Sequence, residues 1–456
     1  MPFVILPTNS ASGGYNVTNS LRFNSGSSDY LNRTFGTATN RKIFTLSVWV
    51  KRSKLGVAQN IFGNGTGTNT DGLGVIDITS ADKFRISGTP DYAVDEYSVL
   101  TTQVLRDTSA WYHLMIVFDS TQATSSNRIK MYVNGSQVTA LDTAIYPSLN
   151  LDPKITLNNS HMISRRVNSA TDYFDGYMSE YYFIDGQALT PTSFGETDED
   201  TGIWKPKAYT GTYGTNGFYL QFKNSASLGT DSSGNGNNFT VNNLTSIDQT
   251  TDTPTNNFCT GNPLFPFVTT APTYSNGNLT IVGAAGYNVY TNGTFMVSKG
   301  KWYFETTSTD KDVSIGVKVP TKNGAFNTSG DGYYGFYNYN GNKITDGVFS
   351  ASQSAGASND ILQLALDMDN NKLWIGRNGT YFASGNPSAG TGEFLSSLPT
   401  ELVPSLQNYN NTTNINFGSP PYAANSFADG AGYGNFSYAV PSGYYALNTK
   451  NLATFG

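Results

Sequence analysis

The sequence predicts an all-β protein, two tandem antiparallel β-sandwiches joined by a polar connector. Three observations carry this expectation. Apolar residues recur at every second position in several runs, Asn-Gly pairs punctuate those runs, and helical periodicity is nearly absent. The length of 456 residues is ample for more than one core, at roughly 100–200 residues per domain.

Taken in chain order, residues 1–18 form an N-terminal arm and 19–195 the first sandwich. In FTLSVWVKR (44–52), Phe44, Leu46, Val48 and Val50 share one face and Thr45, Ser47, Trp49 and Lys51 the other. WYHLMIVFD (111–119) and YMSEYYFIDG (177–186) are similarly extended and β-rich. RIKMYVNGSQV (128–138) alternates and then turns at Asn134–Gly135, the dipeptide that tolerates the two positive φ angles of a tight hairpin. Residues 196–275 are a polar Gly/Asn/Thr-rich connector. It contains one clear strand, GFYLQF (217–222), able to join a neighbouring sheet, and a flexible joint is expected at 248–263. The second sandwich spans 276–420, with strands in GKWYFETT (300–307), VSIGV (313–317), DILQLALDMDNNKLWIGRNG (360–379) and NINFG (414–418). A Tyr/Gly/Ala-rich tail, 421–456, is expected to act as a cover or assembly segment.

Composition narrows function. Charged residues make up 13% of the chain, against about 25% in an average soluble domain. Aromatics equal them at 13%, with 29 Tyr and 27 Phe. Polarity is thus carried by neutral hydrogen-bonding groups, which suit sugars and wet protein contacts. The net charge of −6 and 27 scattered basic residues provide no cationic stripe for nucleic acid. Cys259 is the sole cysteine, so no internal disulfide forms. The start MPFVILPTNS has an apolar run of only Phe3–Leu6 between prolines, so neither a secretory leader nor a membrane insertion is expected.

Chemistry finds little footing. The two histidines, His113 and His161, fall in expected strands and near no nucleophile motif. Three Cys/His residues, widely scattered, cannot supply a structural zinc site. GNGTGTNTDG (63–72) is glycine-rich but precedes a β pattern, so it lacks the helix N-terminus that phosphate binding uses. Glycoside hydrolysis needs two carboxylates across the bond. The seven glutamates form no such strand-borne pair, and the run Glu196–Thr197–Asp198–Glu199–Asp200 lies in the connector. No catalytic residue is expected. The tyrosine-dense stretch DGYYGFYNYNGNK (331–343) nominates Tyr333, Tyr334, Tyr337 and Tyr339 as a contact surface, since Tyr amid Asn and Gly gives rigid, adaptable contact area. The alternative, that alternate tyrosines pack inward, stays open. Trp374, between Leu373 and Ile375, is either core or a further platform.

Residues 20–31, 44–52, 111–119, 130–135 and 173–189 together resemble the laminin-G-like, concanavalin A-like jelly roll. GKWYFETTSTDKDVSIGV (300–317), GYYGFYNYNGNK (332–343), NDILQLALDMDNNKLWIGRNG (359–379) and LVPSLQNYNNTTNINFG (402–418) resemble a SPRY domain, another concanavalin A-like sandwich. In the SPRY pattern, 331–343 borders the usual binding face. Laminin-G-like domains sometimes hold calcium, which makes Asp77 and Asp119, with the DSSGNGNN loop at 231–238, its candidate ligands. Residues 217–243 and 440–452 are similar to joining segments of bacteriophage tail and virion surface proteins. That resemblance implies a non-catalytic virion component, a tail fibre or receptor-binding protein, released without an export signal. Its expected partners are other virion proteins and a host surface glycan or receptor. It is expected to be a homo-oligomer, as a trimer. A capsid-decorating or head-fibre protein and a polysaccharide depolymerase are the alternatives.

Overall fold

The structure, a computed structural model, describes residues 14–65, 72–90, 94–167, 170–265, 271–284, 289–322 and 327–456. The run Phe3–Leu6 and most of the glycine-rich loop at 63–72 lie outside them. Among the described residues the architecture is antiparallel β throughout, apart from short 3-10 turns, one parallel pair and one helix, Thr449–Phe455. No helix there is long and apolar enough to cross a membrane. The chain divides into two compact units at Thr255 and Asn256.

The first unit packs two eight-stranded sheets face to face. One runs in the order Ser136–Gln137, Ile129–Val133, Trp111–Asp119, Ile43–Arg52, Gly176–Asp185, Ser20–Phe23, Gln249–Thr250, with Phe218–Leu220 also paired on Gly176–Asp185. The other runs Leu141–Ile145, Tyr97–Val104, Lys83–Thr89, Leu73–Ile78, Gln59–Asn64, Ser160–Ile163, Tyr30–Thr34, Thr240–Asn242. Phe44, Leu46, Val48 and Val50 all enter the core between them, as the period of two requires. Asn134 and Gly135 have φ of 48° and 77°, and the strands they join pair Val133 with Ser136. A Cβ on Gly135 would also strike the Trp204 ring.

The outer face of the first sheet is not solvated. Trp49, Trp111 and Tyr177 are buried there under Trp204, and Tyr182, Tyr219 and Phe194 under Tyr209 and Tyr213. Residues 196–255 are therefore part of this sandwich and not a connector. They contribute the strands Phe218–Leu220, Thr240–Asn242 and Gln249–Thr250, and their aromatic rings cover apolar surface that water would otherwise meet. Nor is 248–255 a free joint. Asp252 is 1% exposed, accepts from Lys51 Nζ at 2.8 Å and from Trp111 Nε1 at 3.1 Å, and breaking such a buried pair is costly.

The second unit starts at Asn256, earlier than the expected 276, because Phe258 bridges Asn448 and the Cys259 N–H donates to the Leu447 carbonyl. Its first sheet has the order Thr273–Ser275, Thr280–Val282, Thr412–Asn416, Lys301–Ser308, Ile361–Asp367, Lys372–Arg377, Thr380–Tyr381, with Tyr445–Ala446 parallel to Lys301–Ser308. Its second has the order Val289–Asn292, Val403–Asn408, Val313–Lys318, Tyr333–Tyr337, Asn342–Thr345, Val348–Ala351. Phe304, Leu364, Ile375, Ile315, Phe336 and Leu406 join the core shared by the two sheets. The tail packs on the outer face of the first of these sheets, where Phe436, Tyr444 and Ala446 cluster with Tyr303, Ala365 and Trp374.

One buried acid of the first sandwich gives a stability test. Asp29 is 2% exposed, and burial pushes its carboxyl up to about 6. Oδ2 accepts from the Asn24 N–H at 2.9 Å, while Oδ1 has no hydrogen-bond partner among the described residues. A raised folded-state value favours the protonated form. The group's contribution is fully present below its unfolded pKa near 4 and is lost as pH rises through about 6. Asp29→Asn should therefore gain about 1–2 kcal/mol on the wild type between pH 4 and 7.5, after allowing for solvent screening. Urea unfolding of both proteins at the two pH values checks this.

Candidate binding face

Both histidines are held within the architecture of the first sandwich. His113 is fully buried, between Ser47 Oγ at 2.8 Å from Nε2 and Trp204 Nε1 at 3.0 Å from Nδ1. An indole N–H only donates, so Nδ1 accepts and the neutral ring carries its proton on Nε2, pointing at the serine. A general base needs the reverse polarity. Burial pushes His113 down to about 3. His161 stacks on Phe35 with centroids 3.7 Å apart and lies 2.9 Å from the carbonyls of Asn159 and Ile155. Burial outweighs those carbonyls and lowers it to about 4.

Two buried glutamates escaped sequence reasoning, and each sits where a central strand changes neighbour. Glu180, with φ of 49°, occupies a bulge between the segment of Gly176–Asp185 that pairs Ser20–Phe23 and the segment that pairs Phe218–Leu220. It accepts from the hydroxyls of Tyr182 at 2.6 Å, Tyr219 at 2.7 Å and Tyr15 at 3.0 Å. Glu305, opposite Asn416, opens the stretch of Lys301–Ser308 that pairs Thr412–Asn416, two residues past the stretch that pairs Tyr445–Ala446. It accepts from the N–H groups of Ser437 at 2.9 Å and Tyr438 at 3.0 Å, from Tyr303 Oη at 2.9 Å and from Asn416 Nδ2 at 3.2 Å. Burial raises both carboxyls. In the acidic run, Asp198 closes a turn with Thr201 and accepts from Lys205 Nζ at 3.0 Å, which holds its carboxyl down at about 2.

The calcium candidates do not converge. Asp77 takes Arg85 bidentately, at 2.9 Å from Nε and 2.6 Å from Nη2. Asp119, on the other sheet, caps its own turn through Thr121 N and Oγ1 and Gln122 Nε2. Asp231 accepts from the N–H groups of Tyr219, Ser233 and Asn237. Carboxylate oxygens already holding donors offer a cation little, and among the described residues no group of three or more His, Cys, Asp or Glu could hold a metal ion.

The tyrosine set splits. Tyr333 and Trp374 are corrected from contact candidates to interior residues, at 0% and 1% exposure. Tyr333 leans over Gly316, where a Cβ would meet its ring, and bonds Ser314 Oγ at 2.8 Å. Trp374 donates to the Thr391 carbonyl at 2.8 Å and packs edge-on against Tyr444. Tyr334 is half-buried against the core. Tyr339 is exposed and Tyr337 half-buried beside it, rings 5.7 Å apart and tilted 30°. Tyr337 donates to Asp312 Oδ1 at 2.6 Å, Phe349 meets its ring edge-on at 5.7 Å, and Lys311 Nζ lies 4.9 Å over Tyr339. Tyr339 is 48% exposed and Val348 50%. Phe349 was legible in principle, since Asp346–Gly347, with φ of 50° and 76°, is a hairpin signal that turns it back beside Ile344.

This face offers an exposed ring and a half-buried one beside it, with the Asp312 carboxylate and the Lys311 ammonium at hand. Aromatic faces stack on apolar ring faces of a ligand, and the charged groups bond its hydroxyls.

Residues 25–193 match the laminin-G-type family profile of the concanavalin A-like lectin/glucanases superfamily. The first sandwich is a concanavalin A-like domain. No curated protein matches the chain. Similar solved structures include the SPRY domain of human HERC1, 16% identical, covering 34% of this chain and 96% of that one with a TM-score of 0.29. They include a putative carbohydrate binding protein from Bacteroides ovatus, at 18%, 51%, 60% and 0.35 by the same measures. A heptameric SAP-like pentraxin from Limulus polyphemus gives 14%, 39%, 80% and 0.29. The concanavalin A-like domain also brings the connector strands into its sheets, outside the span of the profile match.

Proposed function

We propose that this chain is a non-catalytic binding protein, a virion tail-fibre or receptor-binding component, that grips a host surface glycan through Tyr337, Tyr339 and the groups around them. The observation that carries the reading is the exposed Tyr339 ring, tilted against the half-buried Tyr337 ring and flanked by Asp312 and Lys311. The concanavalin A-like domain and the neutral, tyrosine-rich composition support binding. The likeness of 217–243 and 440–452 to virion joining segments supports the setting. The structural commitments of His113, Glu180 and Glu305 support the absence of chemistry. In this reading the protein works as a homo-oligomer, a trimer, without a required cofactor.

The test is an array of bacterial envelope polysaccharides probed with the full chain, alongside release of reducing ends. Retention on a subset without new reducing ends is the expected result. The Tyr337→Ala/Tyr339→Ala variant is expected to lose about tenfold or more in affinity, the scale of aromatic hot spots. Steady release of reducing ends would replace this reading with the depolymerase.

A further inference from the structure

The six-stranded sheet of the second unit carries an unexplained polar cluster near its other edge, at Val289–Asn292. Most polar groups on that face are paired. Lys318 Nζ donates to the Asp331 carbonyl and lies 4.2 Å over the Tyr290 ring, and Asp331 accepts from Tyr290 Oη and the Tyr333 N–H. Three side chains are not. Both carboxamide atoms of Asn292, Ser405 Oγ and Thr260 Oγ1 have no hydrogen-bond partner among the described residues, at 0%, 2% and 1% exposure.

The register sets the three on one face of three neighbouring segments. Asn292 stands directly opposite Ser405, so their side chains share a face. Gly261 bridges Gly293, the Asn262 N–H donates to the Asn292 carbonyl and the Thr294 N–H to the Thr260 carbonyl. A Cβ on Gly261 would meet Thr291 Cγ2, and one on Gly293 would meet Cys259 Sγ. Both glycines thus face the core, and alternation turns their neighbours Thr260 and Asn292 to the other side, with Ser405.

We propose that Thr260, Asn292 and Ser405 form a buried site for a neutral hydroxylic guest, water or the hydroxyls of a small polyol. All three are uncharged, and each offers both a donor and an acceptor, which matches an O–H group. A cation would face the amide N–H₂, and an anion would find no unpaired positive charge, since Lys318 is already engaged. Leaving such buried groups unpaired is unfavourable, and enclosed polar sites of this kind hold ordered guests. The inference stands apart from the glycan-binding reading.

Thermal unfolding of the full chain tests it through Thr260→Val and Thr260→Ser. With a guest bound, the valine variant should lose about 2–4 °C in Tm for the second unit, while serine, which keeps the hydroxyl, stays near wild type. An unchanged or raised Tm for the valine variant would overturn the proposal, because an unpaired hydroxyl is better replaced by a methyl group. Glycerol titration separates the sources. A saturable rise in Tm that Asn292→Leu abolishes identifies a polyol, and the same unsaturated rise in both proteins identifies water.

Discussion

Replacing Glu305 by alanine is expected to cost the second unit about 3 kcal/mol or more and to free the tail. The carboxylate accepts four hydrogen bonds, two of them from the backbone of Ser437 and Tyr438. Each buried donor left without an acceptor costs about 1–3 kcal/mol, and the two backbone N–H groups have no rotamer with which to seek another. Glu305→Gln keeps the shape and one acceptor but turns an N–H₂ toward a donor, so about 1–2 kcal/mol is expected there. Loosening the tail uncovers Tyr303 and Trp374. Urea unfolding with limited proteolysis checks both effects, and cleavage should concentrate in 421–456 for the alanine variant. Unchanged proteolysis would mean that apolar packing of Phe436 and Tyr444 holds the tail without the acid.

The second large effect is acid sensitivity of the concanavalin A-like domain. His113 and His161 are both fully buried, with values lowered to about 3 and about 4. A depressed histidine is neutral in the folded chain while its unfolded counterpart, near 6.5, takes up a proton. Stability is therefore fully present above about pH 6.5 and falls as pH drops below it. With two such groups the slope approaches about 2.7 kcal/mol per pH unit, or about 4 kcal/mol between pH 7 and 5. Asp29, raised to about 6, offsets a minor part. The second unit contains no histidine and lacks this contribution. Following tryptophan fluorescence of Trp111 and Trp204 against pH, in wild type and in His113→Gln/His161→Asn, should show a shallower acid limb in the variant.

Much of the fold was legible because one physical rule wrote it. Alternation placed Phe44, Leu46, Val48 and Val50 in the core, and Asn134–Gly135 set a hairpin. What alternation cannot say is whether the second face meets water. Trp49, Ser47 and Lys51, on the second face, are buried, and the segment at 196–255 that covers them reads as polar because its few rings, Trp204, Tyr209 and Tyr213, are spread along it. Trp374 could be read better. It sits between two apolar neighbours in a strand, and a run without alternation signals burial on both faces. The tyrosines at 333–339 obey the same period, but their fate depends on cover. Tyr333 found a partner over Gly316, whereas Tyr339 lies past the end of Tyr333–Tyr337 and stays out. Glu180 and Glu305 gave no sequence signal, since their role arises only where one strand exchanges neighbours.

The proposed grip lies at the exposed ring of Tyr339 and the half-buried ring of Tyr337 beside it. Adsorption of purified protein to intact host cells, comparing wild type with a correctly folded Tyr337→Ala/Tyr339→Ala variant, addresses that point directly. A drop of about tenfold or more, measured where both proteins are fully folded, is the predicted result, and undiminished adsorption by the variant would contradict it.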